Sequence, residues 1–264
     1  MLPGVLHIHS TYSDGELTLA QLRLVYETAG CRFACVTDHA DAFDDVRLDA
    51  YRRECEEQSD ERFQFIAGLE YGCEGRMHVL GYGVTTPIGS TDPQEVIRAI
   101  DAMGGVSVVA HPKSTMFPVI EAFEQLPQGI EVWNSKYDGR YAPRPETFRL
   151  LERLRVRRHD LRAFYGQDFH WKRQYRGLLT ILDGSTLGRE PVLAALASGE
   201  YVGCKDGRRL PSTGVLSPEQ VAAFERVHRR SQRMRRFMGI AKTWASASGL
   251  GVPAPVKDQL RRIF

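Results

Sequence analysis

The chain reads as an α/β barrel, and three observations carry that expectation. Short apolar runs alternate with longer amphipathic stretches, a pattern that pairs strands in parallel through right-handed crossovers. The runs number seven or eight, which favours a closed or nearly closed barrel over an open sheet. Histidine and carboxylate recur at the ends of those runs, where such barrels place their chemistry. A length of 264 residues suffices for one large core, and barrels of this size are usually a single domain.

Residues 5–8 (VLHI) form the first expected strand. A helix is expected over 18–29, because Leu19, Leu22, Val25 and Tyr26 recur on one stripe. The second strand is 33–37. A polar helix rich in acids and arginines covers 44–59, and strands at 63–69 and 77–82 follow. The helix at 93–103 opens on Pro93 and stops at Gly104-Gly105. Strands at 106–110, 129–132 and 161–165 come next, with helices near 116–125 and 145–156 between them. A strand at 177–182 and a helix at 189–198 complete the body. The segment LPSTGVLSP at 210–218 marks a boundary. It separates a barrel over 1–209 from a helical extension over 217–264. The main helix of that extension is expected at 218–240, with Val221, Phe224, Val227 and Met234 near one face.

Composition narrows the class. With 26% charged and 42% hydrophobic residues, the chain is globular. No apolar run is long enough to cross a bilayer, and the first strand starts so near Met1 that no targeting segment is expected, which points to the cytoplasm. Five cysteines, an odd number without zinc-finger spacing, are expected as reduced thiols. The net charge of +2 conceals an asymmetry: residues 217–264 hold ten Lys/Arg against three Asp/Glu, leaving the tail at +7 and residues 1–216 at −5. A mildly acidic body suits a carboxylate-rich cation site. The basic tail admits three readings: a solvated helix packing its apolar stripe on the barrel or a second subunit, a surface for nucleic-acid phosphates, or a membrane-surface helix, which its thin apolar face disfavours.

Six of the eight histidines fall in compact groups: His7 with His9, His39 after Asp38, His78, His111, and His170 after Asp168. A lone His-X-His means little, because alternate strand positions share a face and a core pair does the same. Recurrence at successive strand ends, with Glu70 among them, points to a polynuclear site for borderline divalent metals. Metal-assisted hydrolysis is the matching chemistry. Asp38 is expected to orient an imidazole rather than bind metal, the alternative being a solvated loop acid, and Glu131 is either a similar partner or a strand-end charge. Lys113, Lys136, Arg140, Lys172 and Arg173 follow strand ends, where they either grip phosphate or stay solvated. Trp133, Tyr137, Tyr141, Phe169 and Trp171 cluster near the expected mouth, to stack a base or sugar or to pack long loops. His159 and His228 are expected to be exposed and uninvolved.

The motifs HIHSTYSDG at 7–15, TDH at 37–39, GLE at 68–70, HVLGY at 78–82, AHP at 110–112, IEVWN at 130–134 and GQDFH at 166–170 together resemble the PHP (polymerase and histidinol phosphatase) family, in the family's order over residues 1–205. The resemblance implies a distorted, TIM-like barrel of seven α/β units holding two or three divalent metals, zinc, manganese or iron. It implies that His7, His9, Glu70 and Asp168 hold the first metal, that Glu70, His78 and His111 hold the second with Glu70 as bridge, and that Asp14, His39 and His170 hold the third. Many relatives carry histidine at the position of Asp14; a carboxylate there suits manganese or iron as well as zinc. The catalytic set so implied is Glu70, Asp168, His170 and Asp38, and the candidate substrate contacts are Lys113, Arg140, Lys172 and Arg173.

The expected activity is hydrolysis of a phosphate monoester, a small phosphorylated metabolite or nucleotide, by a hydroxide bridging the metals of a di- or trinuclear centre. Several cations in one pocket demand an anionic substrate. Many relatives of this variant carry an inserted domain between HVLGY and AHP. Here only residues 83–109 intervene, so an open mouth is expected. The alternatives are a nuclease acting on short or single-stranded nucleic acid held by the basic tail, a histidinol phosphatase, and a metal-stabilised interaction module, which the complete ligand set disfavours.

Overall fold

A computed structural model describes residues 1–138 and 142–247. Seven strands form a closed ring: β1 (Leu2–Ile8), β2 (Phe33–His39), β3 (Gln64–Cys73), β4 (Met77–Tyr82), β5 (Val106–Ala110), β6 (Gly129–Asn134) and β7 (Arg162–Phe169). Each pairs with the next, and β1 also pairs with β7 through Leu6–Gly166 and Ile8–Phe169. The intervening helices are α1 (Leu19–Thr28), α2 (Asp45–Glu57), α3 (Pro93–Ala102), α4 (Phe117–Glu121) and α5 (Pro145–Arg155). Local chemistry starts several of them: Thr18 and Gln21 make a capping box on α1, and Asp92 accepts from the first turn of α3 ahead of Pro93. The strands are apolar on nearly every residue, as a barrel buried on both faces requires, and Val5, Leu6, Ile8, Phe33, Val36, Val108 and Ile130 are wholly buried.

All-parallel pairing does not hold. β4 runs antiparallel to both β3 and β5. The reason is the connection, a single turn at Glu74–Arg76 with Gly75 and Arg76 in left-handed backbone. A parallel crossover needs a dozen residues or more, whereas a hairpin needs only a few. The reversal places the start of β4, and with it His78, beside Gly72 and Ala110, at the rim where the parallel strands end.

Beyond the ring, β8 (Leu179–Leu182) pairs antiparallel with Leu2–Gly4 of β1. After α6 (Arg189–Ser198), β9 (Tyr201–Lys205) and β10 (Arg208–Pro211) continue this annex. Neither β9 nor β10 is expected from the sequence, and β10 runs across the anticipated boundary at 209. The last helix, α7 (Pro218–Ala247), runs beyond the expected 240. It docks by Phe224, which lies against Trp133 and Phe148, while Met234 of the anticipated stripe is exposed. Residues 248–264 of the expected extension lie outside the described residues. No described helix is long and apolar enough to cross a membrane. The five cysteines are free thiols.

Candidate metal centre

The rim of the ring is strained where it bears donors. Of five non-glycine residues with positive φ among the described residues, three are His7 (59°), His111 (29°) and Asp168 (50°). Such backbone costs about 1–3 kcal/mol per residue and persists only where the surroundings impose it. At His7 the register of β1 slips against both β2 and β7, a bulge that re-aims the side chain.

Glu70 is the hub. It lies within β3 rather than at the strand's end, paired with His39 on one side and Leu80 on the other. Its Oε1 is 2.7 Å from His78 Nδ1, 3.1 Å from His111 Nε2 and 3.5 Å from His7 Nε2. Its Oε2 is 3.3 Å from both His9 Nε2 and His39 Nδ1. Asp168 Oδ1 lies 3.2 Å from His170 Nδ1 and 3.7 Å from His9 Nε2, and Asp14 Oδ1 lies 3.3 Å from His170 Nε2 and 3.5 Å from His39 Nε2. These donors fall into adjoining groups: His7, His9 and Asp168; Glu70, His78 and His111; and His9, Asp14, His39 and His170. All nine residues expected as ligands thus converge. His9, expected only in the first group, reaches the third through Nδ1, 3.7 Å from Asp14.

The charges are strongly coupled. Burial opposes the ionised form of Glu70, yet His7 and its other imidazole partners hold it well below the usual carboxylate range. Asp168 is likewise buried, and His7, His111 and Lys136 draw it down. Burial works against protonation of His7, but Glu131, Glu70 and Asp168 raise it well above its ordinary value. Burial, reinforced by His7 and His170, keeps His9 well below.

Residues behind the donors fix their orientation. Glu131 is buried and accepts from His7 Nδ1 at 3.0 Å, the His111 backbone N–H at 2.8 Å and Asn134 Nδ2 at 2.9 Å. Of the two readings open for Glu131, the imidazole partner is the one seen. Asp38 differs from expectation. Its carboxylate accepts from the backbone N–H and hydroxyl of both Ser10 and Ser13, at 2.6–3.1 Å, so it braces the loop that presents Asp14 instead of orienting His39. Its position inside a parallel strand, facing the loop after β1, accounts for the change of partner.

Among the expected substrate contacts, Lys113, Lys172 and Arg173 are exposed, Arg173 lying over the Trp171 ring. Arg140 lies outside the described residues, as does Tyr141. Among the described residues, Lys136 is the basic residue that reaches the centre: its Nζ is 2.9 Å from Asp168 Oδ1 and 3.4 Å from His170 Nδ1. The aromatic group divides. Trp133 and Phe169 are core residues, while Tyr137 and Trp171 stand partly exposed beside His111 and His170. His159 is exposed, His228 is half-buried, and neither joins a donor group.

Whether these residues fit metal ions is decided by unsatisfied nitrogens. His7 Nε2 and both ring nitrogens of His9 are buried without a hydrogen-bond partner, a costly state in a protein interior. They face carboxylate oxygens of Glu70, Asp168 and Asp14. Nitrogen and oxygen donors so gathered suit zinc, manganese or iron. The residues fit.

No family model and no curated protein matches the chain. Solved structures do. One is a two-domain protein from Bacteroides vulgatus containing a predicted PHP-like metal-dependent phosphoesterase, 16% identical, with a TM-score of 0.58 over 85% of this chain and 69% of that one. A second is an amidohydrolase from Chromobacterium violaceum with bound sulfate and no metal, 17% identical, with a TM-score of 0.50 over 73% of this chain and 96% of that one. A third is PsfC from Pseudomonas syringae, 15% identical, with a TM-score of 0.50 over 87% of this chain and 98% of that one. At these identities the likeness is one of fold, and the fold of this chain is the PHP-like α/β barrel.

Proposed function

We propose that the chain is a metal-dependent phosphoesterase that hydrolyses a phosphate monoester, a small phosphorylated metabolite or a nucleotide. The observation that carries this reading is the ring of five imidazoles around the Glu70 carboxylate, with buried bare nitrogens at His7 and His9. Bound divalent cations supply Lewis-acid charge and lower the pKa of water, the chemistry that ester hydrolysis needs. The chain's own residues prepare for it. His7 hydrogen-bonds Glu131 through Nδ1, so Nε2, towards Glu70 and Asp168, is the nitrogen that would give up its proton to a bound cation. His170 donates Nδ1–H to the Asp168 carbonyl at 3.1 Å, which leaves Nε2 towards Asp14. Glu70 joins the groups electrostatically, and Asp38 holds the Asp14 loop. Tyr137 and Trp171 flank the opening, where an aromatic base or sugar can rest. The description of the Bacteroides protein, a predicted PHP-like metal-dependent phosphoesterase, supports the same reading.

A panel of phosphomonoesters assayed on manganese- or zinc-loaded protein tests the reading. Hydrolysis of at least one ester is expected; inactivity of the metal-loaded protein on all of them overturns it.

A second reading, cleavage of short or single-stranded nucleic acid, has one observation behind it. Arg226, Arg229, Arg230 and Arg233 line one groove on α7 at i, i+3, i+4 and i+7, the spacing of a single helix face. Because Phe224 of α7 is buried, replacing the four arginines by glutamine is a cleaner test than deletion. Loss of oligonucleotide cleavage with retained hydrolysis of a small ester favours the nuclease.

A further inference from the structure

We propose that Lys136 grips a non-bridging oxygen of the substrate's phosphoryl group, an assignment that rests on the phosphoesterase reading. Among the described residues, the ammonium is the one lysine or arginine head group in contact with the donors, which are otherwise imidazoles and carboxylates.

Its backbone is fixed from both sides. The Asn134 side chain accepts from the N–H groups of Lys136 and Tyr137 at 3.0 and 3.1 Å, while its amide donates to Glu131 and, at 3.4 Å, to Asp168. Ser135 donates its N–H to the Gly166 carbonyl and its hydroxyl to the Gln167 carbonyl. The turn that carries Lys136 is therefore tied to the same two strands that carry Glu131 and Asp168.

The head group has a divided environment. Asp168 Oδ1, its partner at 2.9 Å, also faces His170 Nδ1 at 3.2 Å, His9 Nε2 at 3.7 Å and His7 Nε2 at 4.0 Å. A carboxylate oxygen drawn into binding a cation with those imidazoles has less charge left for the ammonium, which then needs another anion. On its other side Lys136 remains 23% exposed, with the Tyr137 ring 5.1 Å away and that ring resting on His111. The free direction is thus the mouth, where an anionic ester enters. An ammonium on a four-carbon stem, charged at neutral pH, is suited to follow a phosphoryl oxygen over such a short path. Lys113, Lys172 and Arg173 offer no comparable placement, being exposed.

The test compares full-length wild type with Lys136→Met and Lys136→Arg, each loaded with manganese. Metal content is measured by elemental analysis, inorganic phosphate binding by calorimetry, and kcat and KM on whichever monoester the wild type hydrolyses. Loss of one charge-assisted hydrogen bond predicts roughly 10- to 100-fold weaker phosphate binding in Lys136→Met. Its metal content is expected to be unchanged, its KM to rise more than its kcat falls, and Lys136→Arg to recover part of the affinity. Wild-type affinity for phosphate in Lys136→Met overturns the assignment. So does loss of metal in that variant, which would make Lys136 a support for Asp168. Wild type that binds phosphate through Lys136 yet hydrolyses no ester would instead sink the phosphoesterase reading, and with it the assignment to a substrate, leaving Lys136 an anion contact only.

Discussion

His7 Nδ1 lies 3.0 Å from Glu131 Oε1, both side chains wholly buried and 124 residues apart in the chain. Three features make that contact possible. The bulge at His7 turns its ring toward β6. Gly166 on β7 leaves open the space the carboxylate occupies, since a Cβ there would lie 1.6 Å from Glu131 Oε1 and 3.0 Å from His7 Cβ. Asn134 and the His111 backbone hold the second carboxylate oxygen. The pair holds a proton on Nδ1 of His7 and points Nε2 at Glu70, so that a cation would displace only the Nε2 proton.

Glu131→Gln should therefore lower metal affinity without unfolding the barrel. The amide cannot accept on both sides, so it either loses His7 Nδ1 or sets its NH2 against the His111 N–H. A loss of about tenfold or more is expected, typical of removing the partner of a metal-ligating histidine. Chelator competition measures it. Unchanged affinity would mean that the His7 tautomer is set by something else.

Glu70→Gln and Asp14→Ala should differ in how many ions they cost. Glu70 oxygens lie within 3.5 Å of five imidazoles drawn from all the donor groups, whereas Asp14 Oδ1 faces three imidazoles of one group, His9, His39 and His170. Elemental analysis after loading should find Glu70→Gln depleted at two positions or more and Asp14→Ala at one. Equal stoichiometry in the two variants would contradict the bridging position of Glu70.

The fold class was legible because apolar runs and amphipathic stretches alternate plainly, and the donors because imidazole and carboxylate stand out at the ends of those runs. What was hidden depends on pairing across the chain. The antiparallel course of β4 was signalled only by the shortness of the link at Glu74–Arg76. β9 and β10 (YVGCK and RRLP) are too short and too polar to read as strands alone. Asp38 looks like a partner for its neighbour His39, but its real partners lie 25 and 28 residues upstream. Lys136 resembled any other loop lysine until Asn134 was seen to pin its backbone.

Asp38→Asn should test that bracing. The buried carboxylate accepts four hydrogen bonds from Ser10 and Ser13, and an amide oxygen can replace only part of them. Each charge-assisted bond of this kind contributes about 1.5–3 kcal/mol, so a clear fall in Tm is expected. Occupancy of the group containing Asp14 should fall more than that of the Glu70–His78–His111 group, because Asp14 rides on the braced loop. Ions lost evenly from every position would argue against a local effect.

Asp138 provides a pH signature outside the donor groups. Burial pushes its carboxyl up to about 6, against the pull of its Arg144 partner. The folded pKa then exceeds the unfolded value of about 3.9. Between those limits the folded chain keeps a proton that the unfolded chain has lost, so this group makes stability fall as pH rises through about 4 to 6 and level off above. A displacement of about two units corresponds to about 3 kcal/mol. Asp138→Asn lacks the titration, while its amide oxygen can still accept from the Asn134 N–H that Asp138 now holds at 2.8 Å. Urea unfolding of both proteins at pH 4 and pH 7 cancels the groups they share. The difference in stability should move towards the variant by about 2 kcal/mol across that interval, since the unfolded carboxyl is already half ionised at pH 4. A difference that stays constant, or moves towards the wild type, would show that attraction to Arg144 outweighs the burial of the carboxylate.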